Sequence, residues 1–482
     1  MHRFTKIVAT LGPASSDLAT LTRLVEAGVD VVRLNFSHGK ADDHRARVET
    51  LAQAAATAGR TVGVMADLQG PKIRVGKFVD GKVMLKPGQM FMFDIECQLG
   101  DAGRVGLDYP ELVRDVEPGA VLLLDDGRVV MDVKAVNDTQ IHCTVRHGGE
   151  LSNNKGINRQ GGGLSAPALT PKDMEDIKVA ASLNVDYVAV SFPKSGADMR
   201  QARELLRAAG SNALLIAKIE RVEAISALEE ILEASDGAMV ARGDLAVEVG
   251  DAAVPAMQKR IIRVSREMNK LVITATQMME SMIHSPVPTR AEVSDVANAV
   301  LDGTDAVMLS AETASGEYPV ETVEAMARVC VEAEKSAEVK LDQEFLQRVF
   351  TRIDQSIAMA ALFSAFHMKV TAIATLTQSG STSLWMSRLN SGVPIYALTP
   401  EVRTRYKLSM YRGVTPLMIE IDPEADRDRM LIDAEAELLR AGAVKVGDLI
   451  VLSFGEPIGV PGGTNTLKIV KVGEYRQLST AL

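Results

Sequence analysis

Eight short apolar runs recur between the N-terminus and Ser310, and segments with helical spacing lie between them. Continuous apolar runs are typical of parallel strands that are covered on both faces. Eight strand–helix units of this kind close into a (β/α)8 TIM barrel of the α/β class. The predicted strands are Lys6–Thr10, Val29–Phe36, Thr61–Asp67, Tyr187–Phe192, Leu214–Ile219, Gly237–Ala241, Leu271–Ala275 and Ala306–Ser310.

The repeat is interrupted after its third strand. From Gly70 to Ser165 no long helical pattern occurs, and strand-like runs alternate with glycine turns. Val121–Leu124 and Val129–Val133 flank a turn that contains Gly127, which indicates a hairpin. The sequence therefore predicts an inserted β-barrel lid domain, which leaves the barrel at the end of strand three, the face that carries the active site in such folds.

A third pattern begins near Gln343. A helix through Asp354–His367 precedes five strand-like runs, which together predict an open α/β sheet. The five runs are Val370–Thr377, Val393–Leu398, Val414–Ile421, Leu449–Phe454 and Leu467–Val472. The predicted division is residues 1–69 and 166–342 for the barrel, 70–165 for the inserted lid and 343–482 for a C-terminal α/β domain.

Charge and cysteine content exclude several classes of function. The net charge is −10 and no concentrated basic run occurs, so nucleic acid is not an expected partner. The three cysteines show no paired spacing, which is typical of reduced thiols in a cytosol. No apolar stretch approaches the roughly 18 residues of a membrane span, and no secretory signal is visible. We expect a cytoplasmic protein that does not enter a membrane.

Polar residues gather where the predicted barrel strands end. Each one alone has an ordinary alternative, a helix cap or a solvated loop charge, but their joint occurrence predicts a site at the barrel mouth. The residues are Pro13, Arg33, Asn35, Ser37, His38, Asp67, Lys218, Glu220, Arg242, Gly243, Asp244, Thr276, Ser310 and Glu312.

The segment Lys218-Ile219-Glu220 carries the most chemical information. Residues two apart on a strand point to the same side, and a carboxylate inside a barrel mouth must be paired or bind a cation. With Asp244 from the next strand, Glu220 would suit Mg²⁺ or Mn²⁺, and Lys218 would offer a fixed charge to a transferring phosphoryl group. The alternative is a structural Lys–Glu ion pair. Arg33 and Arg74 are further candidates for phosphate recognition.

Six longer segments can be compared with known families: Thr5–Ser15, Arg33–Gly39, Lys218–Glu220, Val240–Leu245, Thr274–Met282 and Asp305–Thr313. In this order, and over essentially the whole chain, they resemble pyruvate kinase. The resemblance implies the three-domain fold and a Mg²⁺-dependent transfer of the phosphoryl group from phosphoenolpyruvate to ADP, giving pyruvate and ATP. It also implies a homotetramer.

The resemblance also implies individual roles. Glu220 and Asp244 match the Mg²⁺ ligands, and Lys218 matches the group that stabilises the moving phosphoryl. Thr276 matches the position that orders proton delivery to the enolate, and with the amides of Gly243 and Asp244 it helps to bind the carboxylate. Arg33 matches a substrate phosphate ligand. The nucleotide-side positions, with a second Mg²⁺ on ADP, are Pro13, Asn35, His38, Arg74 and Lys155.

One departure from many relatives concerns the monovalent cation. Members that depend on K⁺ carry Thr-Lys-Gly-Pro and then Glu after the strand-three Asp, whereas this chain reads Asp67-Leu68-Gln69-Gly70-Pro71-Lys72. Lys72 would place a tethered ammonium in the K⁺ region, formed by Asn35, Ser37 and Asp67, and Leu68 would remove a hydroxyl ligand. The chain therefore resembles the branch of the family that does not require K⁺.

The C-terminal domain contains a candidate phosphate site. Small hydroxyl residues and a glycine follow a strand and open a helix, which is a plausible anion site, with an ordinary helix cap as the alternative. The family's effector loop lies here, so the resemblance implies a phosphorylated sugar or nucleotide effector. The residues are Thr377, Ser379, Gly380, Ser381 and Thr382.

Two other functions remain open from the sequence. One is a metal-dependent barrel lyase or aldolase that binds pyruvate or its enol, which would need neither Lys218 beside the metal nor the lid. The other is a catalytically inactive sugar-phosphate sensor, against which the intact Lys218, Glu220, Asp244 and Thr276 argue.

Overall fold

The computed structural model describes residues 3–336, 349–420, 427–456 and 463–474. The predicted boundary between residues 342 and 343 lies outside the described residues. A closed barrel of eight parallel strands forms the centre, three strands before the insertion and five after it. In chain order these barrel strands are Lys6–Thr10, Val31–Asn35, Gly63–Asp67, Tyr187–Val190, Leu214–Ile219, Gly237–Ala241, Leu271–Ala275 and Ala306–Leu309.

Helices surround the barrel, and some of them begin at a side chain that caps the first turn. Thr170 accepts a hydrogen bond from the Asp173 amide, and Pro171 occupies the first helical position. Thr289 caps another helix in the same way through the Glu292 amide. The barrel-domain helices are Leu18–Ala27, Ala41–Thr57, Pro171–Ser182, Gly196–Ala208, Val222–Ser226, Leu228–Ala234, Arg242–Val249, Val254–Glu267, Arg290–Asp302, Ala311–Ala314 and Pro319–Ser336.

The insertion is a β module with its own apolar core, as predicted. A six-stranded sheet is accompanied by two two-stranded sheets and one short helix, Leu112–Asp115. Asp125, Asp126 and Gly127 all have positive φ in the predicted hairpin turn, a conformation that glycine adopts without strain. The strands are Lys77–Phe78, Lys82–Leu85, Met90–Asp94, Leu99–Gly100, Arg104–Val105, Val121–Leu124, Val129–Val136, Gln140–His147, Gly149–Ser152 and Ile157–Arg159.

The C-terminal domain is a five-stranded sheet with helices, and its last strand runs antiparallel to its neighbour. The strands are Ala372–Leu376, Ile395–Thr399, Val414–Met418, Leu449–Gly455 and Thr464–Lys471. The helices are Ile353–Met368, Ser381–Ser387, Val402–Lys407 and Arg427–Arg440.

The C-terminal domain packs against the N-terminal ends of the barrel strands. Arg388, 1% exposed, forms an ion pair with the equally buried Asp305 just before strand eight, and its guanidinium also donates to the Lys270 carbonyl at 2.6 Å. Lys6, at the start of strand one, donates to the Val414 carbonyl at 2.7 Å. The opposite end of the barrel, where the strands finish, is thereby left for the lid and the site. Within the described residues, none of the helices combines the length and apolarity of a membrane span.

Candidate active site

Lys218 lies one residue before the end of strand five, at the barrel mouth. Its Nζ is 2.7 Å from Ser191 Oγ, 3.0 Å from Glu220 Oε1 and 3.2 Å from Asp67 Oδ1. The side chain is only 12% exposed. Burial disfavours the ammonium, but Asp67 and Glu220 outweigh burial and raise the pKa of Lys218 above its ordinary value. Lys218 is therefore a permanent positive charge in a poorly hydrated place.

Asp67 joins Lys218 to Arg33 at the ends of strands two and three. Arg33 Nε is 2.6 Å from Asp67 Oδ2, and Arg33 also donates to Thr10 Oγ1 at 3.1 Å. Burial disfavours the charged carboxylate and by itself would raise its pKa. The positive charges of Lys218 and Arg33 have the larger combined effect and hold the pKa of Asp67 below its usual range. The structure therefore brings the predicted phosphate ligand Arg33 next to Lys218, with one shared counter-ion between them.

Glu220 is fully enclosed at the end of strand five. Its Oε2 accepts a hydrogen bond from the Phe192 amide at 2.9 Å, and Oε1 faces Lys218. Burial raises the pKa of Glu220, and the neighbouring charge of Asp244 adds to the effect although Lys218 opposes it. A divalent cation would relieve both burial and repulsion, so this carboxylate pair fits Mg²⁺ or Mn²⁺.

The protein supplies only part of a coordination shell at this place. Among the described residues, no group of three or more His, Cys, Asp and Glu side chains is arranged to hold a metal. Mg²⁺ is commonly held by one or two carboxylates, with waters and substrate phosphate oxygens as the other ligands. The donor set of Glu220 and Asp244 therefore suits a metal that binds together with substrate.

Lys72 reaches the same carboxylate pair from the start of the lid. Its Nζ lies 3.2 Å from Asp244 Oδ1, and its Cε packs against Gly156 of the lid, where an added Cβ would be only 3.2 Å away. Burial opposes the ammonium, but Asp244 raises the pKa of Lys72 above its ordinary value. Within the described residues Lys72 makes no ion pair with Asp67. The structure thus pairs Lys72 with a predicted metal ligand, although the sequence grouped it with Asn35, Ser37 and Asp67.

Thr276 and Gly243 lie in contact. Gly243, in the first turn of the helix Arg242–Val249, donates its amide to Thr276 Oγ1 at 2.9 Å. Thr276 has φ of +71°, an unusual conformation for a β-branched residue, and Arg242 holds its carbonyl at 2.6 Å. Strained backbone of this kind persists where surrounding contacts impose it, often at functional sites. The hydroxyl therefore has a fixed position beside Asp244 and its helix N-terminus.

The predicted nucleotide residues are distributed over the rim and the lid. Asn35 and His38 contact each other locally, with Nδ2 and Nδ1 3.3 Å apart. Arg74 donates to the Asn154 carbonyl, and Lys155 forms an ion pair with Asp125 at 2.7 Å, so both are engaged within the lid. Pro13 opens a short 3₁₀ helix after strand one. These residues do not form one contiguous cluster in the described contacts.

Some polar groups of the predicted effector loop already form hydrogen bonds with other residues of the protein. Gly380, with φ of +84°, donates its amide to Thr377 Oγ1 at 2.9 Å. Thr382 is 2% exposed and shares a hydrogen bond with Thr464 Oγ1 at 2.8 Å, whereas Ser379 is exposed and Ser381 partly so. The helix Ser381–Ser387 starts immediately after this loop. Ser379 is therefore the most exposed of these residues, and Thr377 and Ser381 are partly exposed.

Sequence reasoning missed the end of strand four. Ser191 contacts Lys218, and the Phe192 amide contacts Glu220, yet neither residue was among the candidates. The strand-end rule that found the other residues would have found Ser191, since it directly follows Tyr187–Val190. A backbone amide such as that of Phe192 leaves no signal in residue type.

Comparisons with known proteins show which family the chain belongs to. The family model "Pyruvate kinase, barrel domain" matches residues 2–323, and "Pyruvate kinase, alpha/beta domain" matches residues 355–470. Pyruvate kinase II of Salmonella typhimurium is 51% identical over 476 residues, covering 98% of this chain and 99% of the relative. The pyruvate kinase of Haemophilus influenzae is 51% identical over 462 residues, covering 94% and 96%.

A solved structure matches over a similar extent. The crystal structure of a pyruvate kinase from Cryptosporidium parvum superimposes with a TM-score of 0.91 at 32% identity, covering 98% of this chain and 96% of that one. Two domain matches, full-length relatives at half identity and the same fold lead to one assignment. The chain belongs to the pyruvate kinase family.

Proposed function

We propose that the chain transfers the phosphoryl group of phosphoenolpyruvate to ADP and releases pyruvate and ATP, the closing step of glycolysis. Membership of the family makes it a phosphotransferase. The observation that carries the proposal is the convergence of Lys218, Glu220 and Asp244 at one end of the barrel, with Arg33 beside them. Phosphoryl transfer depends mainly on positioning and charge neutralisation, which this cluster supplies.

Each residue has a distinct task in this proposal. Glu220 and Asp244 would hold Mg²⁺ (or Mn²⁺), which when bound neutralises charge on the substrate. Arg33 binds the substrate phosphate with a fork of donors, and Lys218 stabilises the phosphoryl as its bond to the enol oxygen breaks and a bond to an ADP oxygen forms. The Arg33 guanidinium and the Lys218 ammonium both pair with Asp67, which holds the two side chains at the barrel mouth.

Thr276 completes the second half of the reaction. The enolate of pyruvate must gain a proton at its methylene carbon, and Thr276 Oγ1, fixed by the Gly243 amide at 2.9 Å, orders that delivery. The amides of Gly243 and Asp244, at a helix N-terminus, would bind the substrate carboxylate, with the Gly243 N–H shared between the carboxylate and Thr276 Oγ1. Nucleotide binding falls to Pro13, Asn35, His38, Arg74 and Lys155, with a second Mg²⁺ on ADP.

The lid residues support a closing movement during the cycle. Arg74 and Lys155 are held within the lid, so they would reach a nucleotide at the barrel mouth only when the lid approaches it. Closure would exclude water, which otherwise competes with ADP as acceptor. Lys72, at the junction, would provide in covalent form the monovalent charge that other members take from K⁺.

The wider setting of the enzyme is also proposed. The phosphate of a sugar or nucleotide effector would bind at Ser379 and Ser381, in the loop that also contains Thr377, Gly380 and Thr382. The likeness to the family supports a homotetramer, a cytoplasmic location and no nucleic-acid or membrane partner. The domain limits of residues 1–69 with 166–342, 70–165 and 343–482 are proposed on the same ground.

An ADP-dependent assay of pyruvate release tests the activity. Pyruvate should appear only when phosphoenolpyruvate, ADP and Mg²⁺ are all present, and ATP should form in equal amount. A lyase or aldolase would release pyruvate without ADP, and an inactive sensor would release none. Glu220→Gln keeps the shape of the side chain while it weakens the metal site, so it should raise the Mg²⁺ requirement as well as lower the rate.

A further inference from the structure

The ammonium of Lys218 has three oxygen neighbours, and the nearest is a neutral one. Ser191 Oγ lies at 2.7 Å, closer than the carboxylates of Glu220 and Asp67 at 3.0 and 3.2 Å. Both carboxylates have other partners, Phe192 N for Glu220 and Arg33 for Asp67. Ser191 therefore fixes one of the three N–H directions of Lys218 without adding charge.

The Ser191 hydroxyl is itself held in one orientation. It donates its single proton to the Leu68 carbonyl at 2.7 Å, so only its lone pairs are available to Lys218. Ser191 is 1% exposed and Leu68 is 2% exposed, so water does not compete for these bonds. Leu68 directly follows the strand that ends in Asp67 and precedes the lid, which links the orientation of Lys218 to the base of the lid.

The backbone at this corner is unusual, which indicates that its geometry is imposed. Phe192 has φ of +55°, a rare conformation for an aromatic residue, and its amide donates to Glu220. Arg221 lies over the Phe192 ring at 5.3 Å. Gly70 packs so closely that an added Cβ would lie 2.6 Å from Ser191 Cβ. Strained, tightly packed segments of this kind are often found where catalytic groups are positioned.

From these contacts we propose that Ser191 is a positioning residue for phosphoryl transfer, which acts by holding the Lys218 ammonium in its working direction. This inference rests on the proposed function of Lys218. Ser191 itself does not touch the reacting atoms in this proposal. Its effect should therefore appear in the step that needs Lys218 and not in substrate binding or in proton exchange at the methyl group of pyruvate, which depends on Thr276 and the metal.

The test compares two half-reactions in matched serine variants of the full-length protein. Ser191→Ala should lower kcat for phosphoryl transfer by about 10- to 100-fold, the range expected for a small displacement of a catalytic group, with little change in KM for phosphoenolpyruvate. Exchange of the methyl protons of pyruvate with D₂O, followed by NMR, should stay near the wild-type rate. Ser191→Cys, with a weakly accepting thiol, should give an intermediate kcat.

Ser235→Ala supplies the control. Ser235 is also a buried serine that donates to a main-chain carbonyl at 2.7 Å, but it precedes strand six at the opposite end of the barrel. The Ser235→Ala variant should be less stable than the wild-type protein, but the ratio of its two half-reaction rates should be unchanged. Circular dichroism and thermal unfolding establish that each variant is folded, and Ser191→Cys carries the test if Ser191→Ala does not fold.

Several results would overturn the inference. An equal loss of phosphoryl transfer and proton exchange in the Ser191 variants would show a structural role only, and an unchanged kcat would remove Ser191 from the mechanism. If the wild-type protein exchanges protons but transfers no phosphoryl group, the proposed function fails first. If the wild-type protein carries out both half-reactions, but the ratio of phosphoryl transfer to proton exchange is the same in the Ser191 variants, only the positioning role of Ser191 is refuted.

Discussion

Replacement of Lys72 should make the enzyme respond to K⁺. The Nζ of Lys72 lies 3.2 Å from Asp244 Oδ1, and the two side chains are 29% and 21% exposed. A charge pair at this distance is worth about 5 kcal/mol at an effective dielectric constant near 20, and partial exposure reduces that figure to roughly 1.5–3 kcal/mol. A K⁺ ion about 4 Å from Nζ would meet repulsion of similar size. Its affinity should then fall by roughly 10- to 100-fold.

The assay measures the initial rate in sodium, potassium or tetramethylammonium chloride at one ionic strength. The wild-type protein should be equally active in all three salts. Lys72→Glu combined with Leu68→Thr, which restores the hydroxyl, should be less active in sodium and should recover in potassium. Lys270→Met is the control, because Lys270 donates to the Ser235 carbonyl at the far end of the barrel and is also half-buried.

The initial rate of the Lys270→Met control should be the same in all three salts. Strong activation of the wild-type protein by K⁺, with tetramethylammonium inactive, would refute this interpretation of Lys72. The family assignment would not be affected by that result.

Two further predictions concern other parts of the molecule. Burial raises the pKa of Asp186 from 3.8 to about 7, so the folded protein keeps a proton that the unfolded chain loses, and stability should fall between about pH 4 and 7 by at most roughly 1.4 kcal/mol per pH unit. Asp186→Asn, which can still accept from the Val64 amide, should therefore raise the thermal midpoint at pH 8 but hardly at pH 4.5; equal shifts at both values would contradict this. Ser381→Asp should abolish activation by a phosphorylated sugar or nucleotide, because a carboxylate at a helix N-terminus opposes phosphate, and should leave the unactivated rate unchanged. Titration with a panel of such metabolites checks it, and an unchanged response would place the effector elsewhere.

The barrel could be predicted from the sequence because its strands are buried on both faces. Strand limits such as Lys6–Thr10, Leu214–Ile219 and Leu271–Ala275 agree with the structure to the residue. Others are shorter than predicted. The fourth ends at Val190 instead of Phe192, since Phe192 takes a positive φ and leaves the sheet. The hydrophobic pattern indicates which residues are buried, but it does not indicate where the backbone turns out of the sheet, as it does at Phe192.

The sequence could group polar residues at one end of the barrel, but it could not predict which of them contact each other. Lys218, Glu220, Asp244 and Thr276 are predicted together because a buried polar residue at a strand end costs free energy unless it is paired or binds a ligand. The partner of Lys72 is not predicted, since a lysine on a loop can reach several carboxylates and only packing against Gly156 selects Asp244. Contacts made by main-chain groups, such as Phe192 N to Glu220, depend on backbone angles that residue types do not encode.

Loss of Lys218 tests the central claim most directly, that a fixed ammonium at the barrel mouth drives phosphoryl transfer. Lys218→Met keeps the length of the side chain and removes its charge. Removal of one well-placed electrostatic group typically costs about 10²–10³ in rate, and we expect at least this loss in kcat for ATP formation. Proton exchange into pyruvate should partly survive, because Thr276 and the metal ligands Glu220 and Asp244 remain. A folded Lys218→Met protein with near-normal turnover would contradict the account.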